Sequence, residues 1–143
     1  MKKSILFLLV ALLTFSSVAC NKTESETAPE TQETETETEQ VIYKNITAEA
    51  AKEIMDTETG YVILDVRTAE EFAEGHIKGA ILIPNDEITE KAESILPDKN
   101  QKILVYCRSG RRSKLAAEAL LDLGYTNIWE FGGIIDWPYE IEK

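Results

Sequence analysis

The sequence predicts an α/β fold, a parallel sheet with helices on both faces. Short apolar runs rich in β-branched residues, such as 61–64 and 103–106, alternate along the chain with stretches of helical composition and spacing, such as 115–121. The runs are apolar throughout, which is typical of strands that are covered on both faces. Strands that alternate with helices in this way favour parallel pairing.

The first half of the predicted domain carries clear helix starts and stops. Thr47 is a good N-cap for a first helix, which Gly60 ends. Thr68, followed three residues later by Glu71, has the form of a capping box for a second, short helix. The predicted elements of this half are a short strand at 41–43, a helix through Met55, a strand at 61–64, a short helix from Thr68, a tight loop at 75–80, a strand at 81–83 stopped by Pro84, a helix at 86–96 and a turn at 97–100.

The second half places a cysteine between a strand and a helix. Its predicted elements are a strand at 103–106, a helix from Ser113 to Leu123 that Gly124 closes, a strand at 125–131 and a loop or short helix at 134–137. Ligands of parallel α/β sheets bind at the carboxyl ends of the strands. Cys107 follows one predicted strand and Asp65-Val66-Arg67 follows another, so both fall at such ends.

Cys107 has the surroundings of a reactive thiol. A loop with Gly110 leads from it into a helix, so backbone N–H groups and the positive end of the helix dipole point towards one small volume. Arg108, Arg111 and Arg112 add full positive charges. Such surroundings lower a cysteine pKa from about 8.5 to roughly 3.5–7.5. The alternative, an inert buried cysteine, has no use for three adjacent arginines.

The composition excludes some partners. The chain has 26 aspartates and glutamates against 15 lysines and arginines, and its formal net charge is −11. No basic face is available for a phosphate backbone, so we expect no nucleic-acid partner. One histidine and two cysteines are too few soft ligands for a structural zinc site, and we expect no metal or other cofactor.

The N-terminal residues predict export. Lysines at 2–3 precede an apolar run at 4–15 that is too short to span a bilayer comfortably, and small residues at 16–19 lead to Cys20. This pattern resembles a bacterial lipobox, which implies removal of the signal peptide and a lipid on Cys20. The protein would then be anchored to the cell membrane on its extracytoplasmic face. An ordinary signal peptide cut nearby, which leaves Cys20 free, and a retained transmembrane helix are the alternatives.

The segment that follows Cys20 predicts a tether. Residues 21–40 are rich in threonine and glutamate, which make up 13 of the 20, and they contain no large apolar residue that could build a core. We therefore expect a disordered tether at 20–40, about 25 Å from end to end, and one domain at 41–143. A specific binding segment is the alternative for the tether. A lipid on Cys20 would leave Cys107 as the lone thiol, which disfavours a disulfide between them.

Several short motifs together resemble a single-domain rhodanese of the thiosulfate sulfurtransferase type. They are Asp65-Val66-Arg67, Glu70-Glu71-Phe72, Gly75-His76-Ile77, Gly79-Ala80 with Ile83-Pro84, Tyr106 to Ser113, Leu123-Gly124-Tyr125, and Gly132-Gly133 with Trp137. Their shared order and spacing make the resemblance specific. It implies a five-stranded parallel sheet, a small anionic sulfur donor such as thiosulfate, a cysteine persulfide, and cyanide or a thiol as acceptor.

The resemblance also assigns roles to individual residues. Cys107 would be the nucleophile, and the loop would bind the anionic donor and leaving group through its backbone N–H groups and arginines. The substrate-binding residues are then Arg108, Ser109, Gly110, Arg111, Arg112 and Ser113, with Ser113 also expected to cap the following helix. Asp65 and Arg67 are expected to brace loops. His76 is expected to be structural, with general-base catalysis as the alternative.

Three other functions compete with a sulfurtransferase. Related dual-specificity phosphatases use a longer loop, and the position of their arginine is held here by Ser113, which disfavours phosphoryl transfer. A thiol redox protein is disfavoured because no second cysteine stands near Cys107. A non-catalytic persulfide carrier or interaction module at the cell surface is the main alternative, although the intact loop favours the enzyme.

Overall fold

A computed structural model describes residues 40–143. The predicted signal peptide (1–19), the lipidation site Cys20 and the tether up to residue 39 lie outside the described residues. The elements are β1 Ile42–Asn45, α1 Ala48–Thr57, β2 Tyr61–Asp65, α2 Ala69–Glu74, β3 Ile81–Leu82, α3 Ile88–Ile95, β4 Lys102–Cys107, α4 Arg111–Asp122 and β5 Asn127–Gly133, with single 3-10 turns at Asn85–Glu87 and Ile134–Asp136.

The five strands form one parallel sheet in the order β1-β5-β4-β2-β3. The predicted fold class, a five-stranded parallel α/β sheet, is therefore confirmed. β4 lies at the centre, paired with β2 on one side and β5 on the other. Both neighbours end close to the end of β4, so the segments that follow these three strands meet at one edge of the sheet.

The core consists of two apolar clusters, one on each face of the sheet, because successive side chains of a strand point to opposite faces. From β4, Val105 and Cys107 belong to the cluster that also contains residues of α3 and α4, such as Ala92 and Leu120. Leu104 and Tyr106 belong to the cluster under α1, which also contains Phe131 and Trp137. The nucleophile predicted from sequence thus lies on the face that α3 and α4 cover.

The predicted helix caps are present at the first two helices. The Thr47 hydroxyl accepts a hydrogen bond from the Ala50 N–H at 3.2 Å and caps α1. Thr68 and Glu71 form the predicted capping box of α2. These bonds satisfy N–H groups that have no partner inside their helix.

Several predicted boundaries were wrong by one to three residues. α1 ends at Thr57, before Gly60. β5 starts at Asn127, because the backbone N–H groups of Tyr125 and Thr126 donate to Leu120 O and Lys99 O, outside the sheet. α4 begins at Arg111 instead of Ser113, which changes the candidate site as described below.

Within the described part of the chain, none of the helices has the length and apolar character needed to cross a membrane.

Candidate active site

Cys107 is the last residue of the central strand β4. It is buried, with 1% of its surface exposed, and it is a free thiol and the one cysteine in residues 40–143. The chain turns through Arg108 and Ser109 to Gly110, whose backbone N–H donates to the Sγ of Cys107 at 3.1 Å. The sulfur therefore sits inside the curve of its own loop.

The turn depends on Gly110. Its φ of 93° lies in the left-handed region, which residues with a side chain rarely adopt. Gly110 is also the N-cap of α4, and no side chain caps the helix at this position. The first N–H groups of an α-helix lack partners inside the helix. These donors and the positive end of the helix dipole are thus available to an anion beside Cys107.

Two opposing influences set the pKa of the Cys107 thiol. Burial raises it, because a thiolate loses hydration inside the protein. Hydrogen-bond donors within reach of the sulfur lower it: the Ser113 hydroxyl, whenever its hydrogen points to the sulfur, and the N–H groups of Ser113, Ser109 and Gly110. The donors outweigh burial, so the pKa lies below the ordinary value of a cysteine. A lower pKa increases the nucleophilic thiolate fraction at neutral pH.

The three arginines of the loop differ in their surroundings. Arg108 and Arg111 are exposed, whereas Arg112 is half-buried. The Nη1 and Nη2 atoms of Arg112 donate to the two carboxylate oxygens of Glu71 at 2.7 and 2.8 Å. The hydrogen bond from Arg112 lowers the pKa of Glu71 to about 2. The charge of Arg112 is therefore largely compensated, and Arg108 and Arg111 present theirs to solvent.

Glu71 has a second function that no sequence pattern indicated. Its Oε2 accepts the N–H of Thr68 at 3.1 Å in the capping box, which was predicted, and the same carboxylate binds Arg112. The two partners are 41 residues apart in the chain. Only the approach of α2 to the start of α4 brings them together, so no local motif could have revealed the pair.

Ser113 does not cap α4, contrary to the prediction from sequence. Gly110 occupies the N-cap, so Ser113 is the third residue of the helix, and it is fully buried. Its Oγ lies 2.6 Å from Oε1 of Glu130, 3.0 Å from Gly110 O and 3.3 Å from Gly132 O. The Ser113 side chain therefore joins the start of α4 to the end of β5, directly beneath the cysteine loop.

Glu130 is a fully buried carboxylate on β5. Besides Ser113, it binds Asn45 Nδ2 at 2.7 Å and the N–H of Gly132 at 2.9 Å. The available signal was one charged residue inside the predicted strand at 125–131. A single charge in a strand usually faces solvent, so the sequence pattern did not predict a buried position for Glu130.

Asp65 and Arg67 form a buried ion pair at the end of β2. The Nη2 of Arg67 lies 2.6 Å from Oδ2 of Asp65, and its Nε and backbone N–H both donate to Oδ1 at 2.9 Å. The same Nη2 donates to Gly75 O at 2.8 Å. The pair thus ties the segment after β2 to the turn at Gly75.

The backbone of β5 touches the cysteine loop at Gly133. A Cβ atom on this residue would lie 2.2 Å from Arg108 O and 2.5 Å from the Cα of Ser109, far inside any permitted contact. The N–H of Ile135 then donates to Arg108 O at 3.2 Å. The end of β5 therefore packs directly against the cysteine loop. Only glycine at position 133 permits the two backbones to approach this closely.

A comparison with models of protein families matches residues 47–138 to the Rhodanese-like domain. The chain belongs to the rhodanese-like family.

Several relatives of this rhodanese-like chain carry names from sulfur chemistry. Thiosulfate sulfurtransferase PspE of Escherichia coli (strain K12) is 42% identical over 73 residues, which cover 51% of this chain and 70% of PspE. Putative sulfurtransferase YtwF of Bacillus subtilis (strain 168) is 35% identical over 97 residues, which cover 68% of this chain and 92% of YtwF. Putative sulfur carrier protein YrkF of the same strain is 35% identical over 98 residues, which cover 68% of this chain but only 52% of YrkF.

Solved structures agree with this assignment. A rhodanese with anions from E. coli has a TM-score of 0.55 and 38% identity, and the match covers 58% of this chain and 98% of that one. A rhodanese-like domain protein from Staphylococcus aureus has a TM-score of 0.60 and 34% identity, with 70% and 97% covered. At the level of the family, these relatives support sulfur transfer as the function of the rhodanese-like domain.

His76 of the rhodanese-like domain has structural partners. Its ring stacks on Phe72 at 3.7 Å between centroids, and its Nδ1 lies 3.0 Å from Phe72 O. Its backbone pairs with that of Glu142 in both directions at 2.8 Å. His76 thus fastens the C-terminal residues to the turn at 75–79.

Beside the start of α4 lies a cavity of about 190 Å³, lined by Val66, Arg67, Thr68, Pro84, Asn85, Asp86, Arg111 and Arg112. A larger cavity of about 540 Å³ lies at the opposite end of β2 and β4, around Tyr61 and Gln101. The smaller cavity borders the first turn of α4 through Arg111 and Arg112, and Cys107 is not part of its lining.

In residues 40–143 no group of three or more histidine, cysteine, aspartate or glutamate side chains is arranged to hold a metal ion.

We predict that Gly133→Ala reduces the rate of sulfur transfer at least about tenfold. The added methyl group would displace the cysteine loop, and a displacement of about 1 Å at an active site can reduce the rate about 100-fold. Initial rates of thiocyanate formation from thiosulfate and cyanide would be measured. Gly60→Ala is the matched control. Gly60 also has a positive φ of 77°, but its added Cβ meets no atom within 4 Å, so this variant should lose about 1–2 kcal/mol of stability without loss of rate. A wild-type rate in Gly133→Ala would contradict the role of this contact.

Proposed function

We propose that this protein is a sulfurtransferase that moves a sulfane sulfur from a thiosulfate-type donor to a thiophilic acceptor through a persulfide on Cys107. One observation carries the proposal: the buried sulfur of Cys107 lies within reach of hydrogen-bond donors from its own loop, at the carboxyl end of the central strand. These donors stabilise negative charge on sulfur, and negative charge on sulfur is common to the attacking thiolate, the persulfide and the donor.

The reaction has two displacement steps. The Cys107 thiolate attacks the outer sulfur of thiosulfate, a new S–S bond forms, and the S–S bond of thiosulfate breaks as sulfite leaves with the electron pair. Cyanide or a thiolate acceptor then attacks the terminal sulfur of the persulfide. The bond to Cys107 breaks, and the thiolate is regenerated. Charge at the reacting sulfur is stabilised in both steps by donors that are already in position.

The cavity at the first turn of α4 would suit a small anion as the entrance to the site. The cavity beside α4, at about 190 Å³, is smaller than the roughly 300–1,000 Å³ of pockets for drug-sized ligands. Exposed Arg108 and Arg111 stand at the loop of an otherwise acidic protein, so their charge can attract and orient a donor such as thiosulfate. Both the size and the charge favour an inorganic sulfur anion over a peptide.

Phosphatase activity fits the site less well. Ser113 holds the position at which the related phosphatases have their arginine, and here that position is fully buried against Glu130. A phosphate ester carries its charge on three oxygens and is bound best by a bidentate arginine. The Ser113 side chain cannot supply that bidentate contact.

A persulfide carrier is the second candidate, because one relative is named a putative sulfur carrier protein. A carrier would accept sulfur on Cys107 and pass it to a partner protein without rapid turnover of thiosulfate and cyanide. The experiment below distinguishes the two.

We predict that incubation of the protein with thiosulfate adds the mass of one sulfur atom to the peptide that contains Cys107, and that cyanide removes it with formation of thiocyanate. Cys107→Ser is the matched control and should show neither effect, because its hydroxyl is not nucleophilic at neutral pH. Sulfur uptake without multiple turnover would indicate a carrier. Absence of added mass on Cys107 would contradict both functions.

We predict that Glu71→Gln lowers the KM for thiosulfate about fivefold, the size expected from an ion pair of about 1 kcal/mol. The change releases Arg112 for the donor, and glutamine can still complete the capping box. Glu70→Gln is the matched control, because it removes one negative charge from the same helix turn without freeing an arginine. An equal effect of the two changes on KM would mean that Arg112 does not bind the donor.

We further propose that the protein is a lipoprotein on the extracytoplasmic face of the cell membrane, with the lipid on Cys20. The support is the order of basic, apolar and small residues before Cys20. Bacterial cells that express the full chain should incorporate radiolabelled fatty acid into it, and Cys20→Ala should abolish the label. A label that survives this substitution, or an unlabelled wild-type chain, would contradict the proposal.

A further inference from the structure

Glu130 is a buried titratable group that the proposed chemistry does not use. Its carboxylate is fully buried and binds three donors: the side-chain amide of Asn45 on β1, the N–H of Gly132 on β5, and the hydroxyl of Ser113 on α4. Within residues 40–143 no lysine, arginine or histidine forms an ion pair with it. A buried carboxylate without a cation is tolerated when its oxygens accept several hydrogen bonds, as they do here.

Ser113 links this carboxylate to the nucleophile. Its hydroxyl lies within reach of the Cys107 sulfur, and it also has oxygen acceptors at 2.6 Å on Glu130 and at 3.0 Å on Gly110. A hydroxyl has one hydrogen and cannot serve all of them. The carboxylate oxygen is both the nearest acceptor and, because it is charged, the strongest.

We propose that Glu130 is a positioning residue that captures the hydrogen of the Ser113 hydroxyl, so that the Cys107 sulfur is held by backbone N–H groups alone. The inference rests on the proposed function, because it takes Cys107 as the reactive thiol. Its test measures the ionisation of the sulfur and not sulfur transfer, so the two can fail separately.

The direction of the effect follows from charge and hydrogen bonding. The negative charge of Glu130, one hydroxyl group away from the sulfur, disfavours the thiolate. Capture of the Ser113 hydrogen also withholds one donor from the thiolate. Both effects keep the thiol less acidic than the loop alone would make it. The chemical advantage is that the nucleophilicity of a thiolate falls as its pKa falls, and the best attacking thiol has a pKa near the ambient pH.

Other ionisable groups near Glu130 and Cys107 do not obscure the effect of Glu130 on the thiol. Arg112, in the first turn of α4, faces the sulfur, and its pKa is raised by the hydrogen bond with Glu71, so it stays charged. Tyr43 on β1 faces Glu130, and its pKa is raised by burial and by the charges of Glu130 and of Glu118 on α4. The tyrosine therefore stays neutral up to alkaline pH, and the sulfur is the group whose titration changes.

The test uses Glu130→Gln, Ser113→Ala and the double variant in the full chain. Iodoacetamide alkylation of the Cys107 peptide is followed by mass spectrometry across pH, which separates it from Cys20. Glutamine keeps the size of the side chain. Its neutral carbonyl oxygen can still accept from the Gly132 N–H but competes less strongly than a carboxylate for the Ser113 hydrogen. Thermal unfolding of each variant checks that it is folded.

In Glu130→Gln we expect the midpoint of the alkylation profile to move to lower pH by about one unit. Ser113→Ala alone should leave the midpoint nearly unchanged, since its hydroxyl does not serve the sulfur in the wild-type protein. In the Glu130→Gln background the same substitution should reverse part of the shift, because the freed hydroxyl then binds the sulfur.

Three results would overturn the proposal. The first is an unchanged or raised midpoint in Glu130→Gln. The second is a clearly raised midpoint in Ser113→Ala alone, which would mean that the hydroxyl already serves the sulfur. The third is a double variant with the full shift of Glu130→Gln. If Glu130→Gln does not fold, Ser113→Ala alone decides between capture by Glu130 and donation to the sulfur.

Discussion

The site depends on hydrogen bonds from the backbone to a buried sulfur. Cys107 is almost completely inaccessible, and burial by itself would keep its thiol protonated. This is reversed by the geometry of the loop. The left-handed turn at Gly110 brings peptide N–H groups and the Ser113 hydroxyl within reach of the sulfur and starts α4 immediately afterwards. The peptide donors are fixed by the fold, so they need no rearrangement when charge develops on sulfur.

Neighbouring elements keep this loop in place. The end of β5 touches it at Gly133, where no side chain fits. The buried pair of Asp65 and Arg67 fastens the segment after β2. Glu130 holds Ser113 and thereby the first turn of α4. The loop is thus supported from β5 and α4, which explains why its short sequence can keep a precise curvature.

Carboxylates moderate the positive charge of the loop. Glu71 compensates Arg112, and the buried Glu130 lies beneath Ser113. The cationic character of the site at solvent therefore comes from Arg108 and Arg111. In the proposed reaction, peptide donors would stabilise the reacting sulfur, and exposed arginines would attract the anionic donor. This division of tasks differs from the simple picture in which three arginines act together on the thiol.

Much of the fold could be predicted from the sequence because its signals are local. Apolar runs predicted the strands, and the N-cap residues Thr47 and Thr68 predicted the starts of two helices. The start of α4 was wrong because Ser113 has the side chain of an N-cap, while Gly110 takes that position through its backbone conformation.

Local signals could not reveal the contacts of the candidate site. Glu71 with Arg112 and Asn45 with Glu130 are 41 and 85 residues apart, and only the folded chain brings them together. The roles assigned to the loop residues and the lipid on Cys20 stay predictions.

Titration of the Cys107 thiol tests the central claim most directly. The ultraviolet absorbance of the thiolate would be followed against pH in the full chain with Cys20→Ser, and the same chain with Cys107→Ser would serve as the blank. We predict a midpoint clearly below the value of about 8.5 that is usual for a cysteine. A midpoint at or above that value would contradict the claim that the peptide donors outweigh burial.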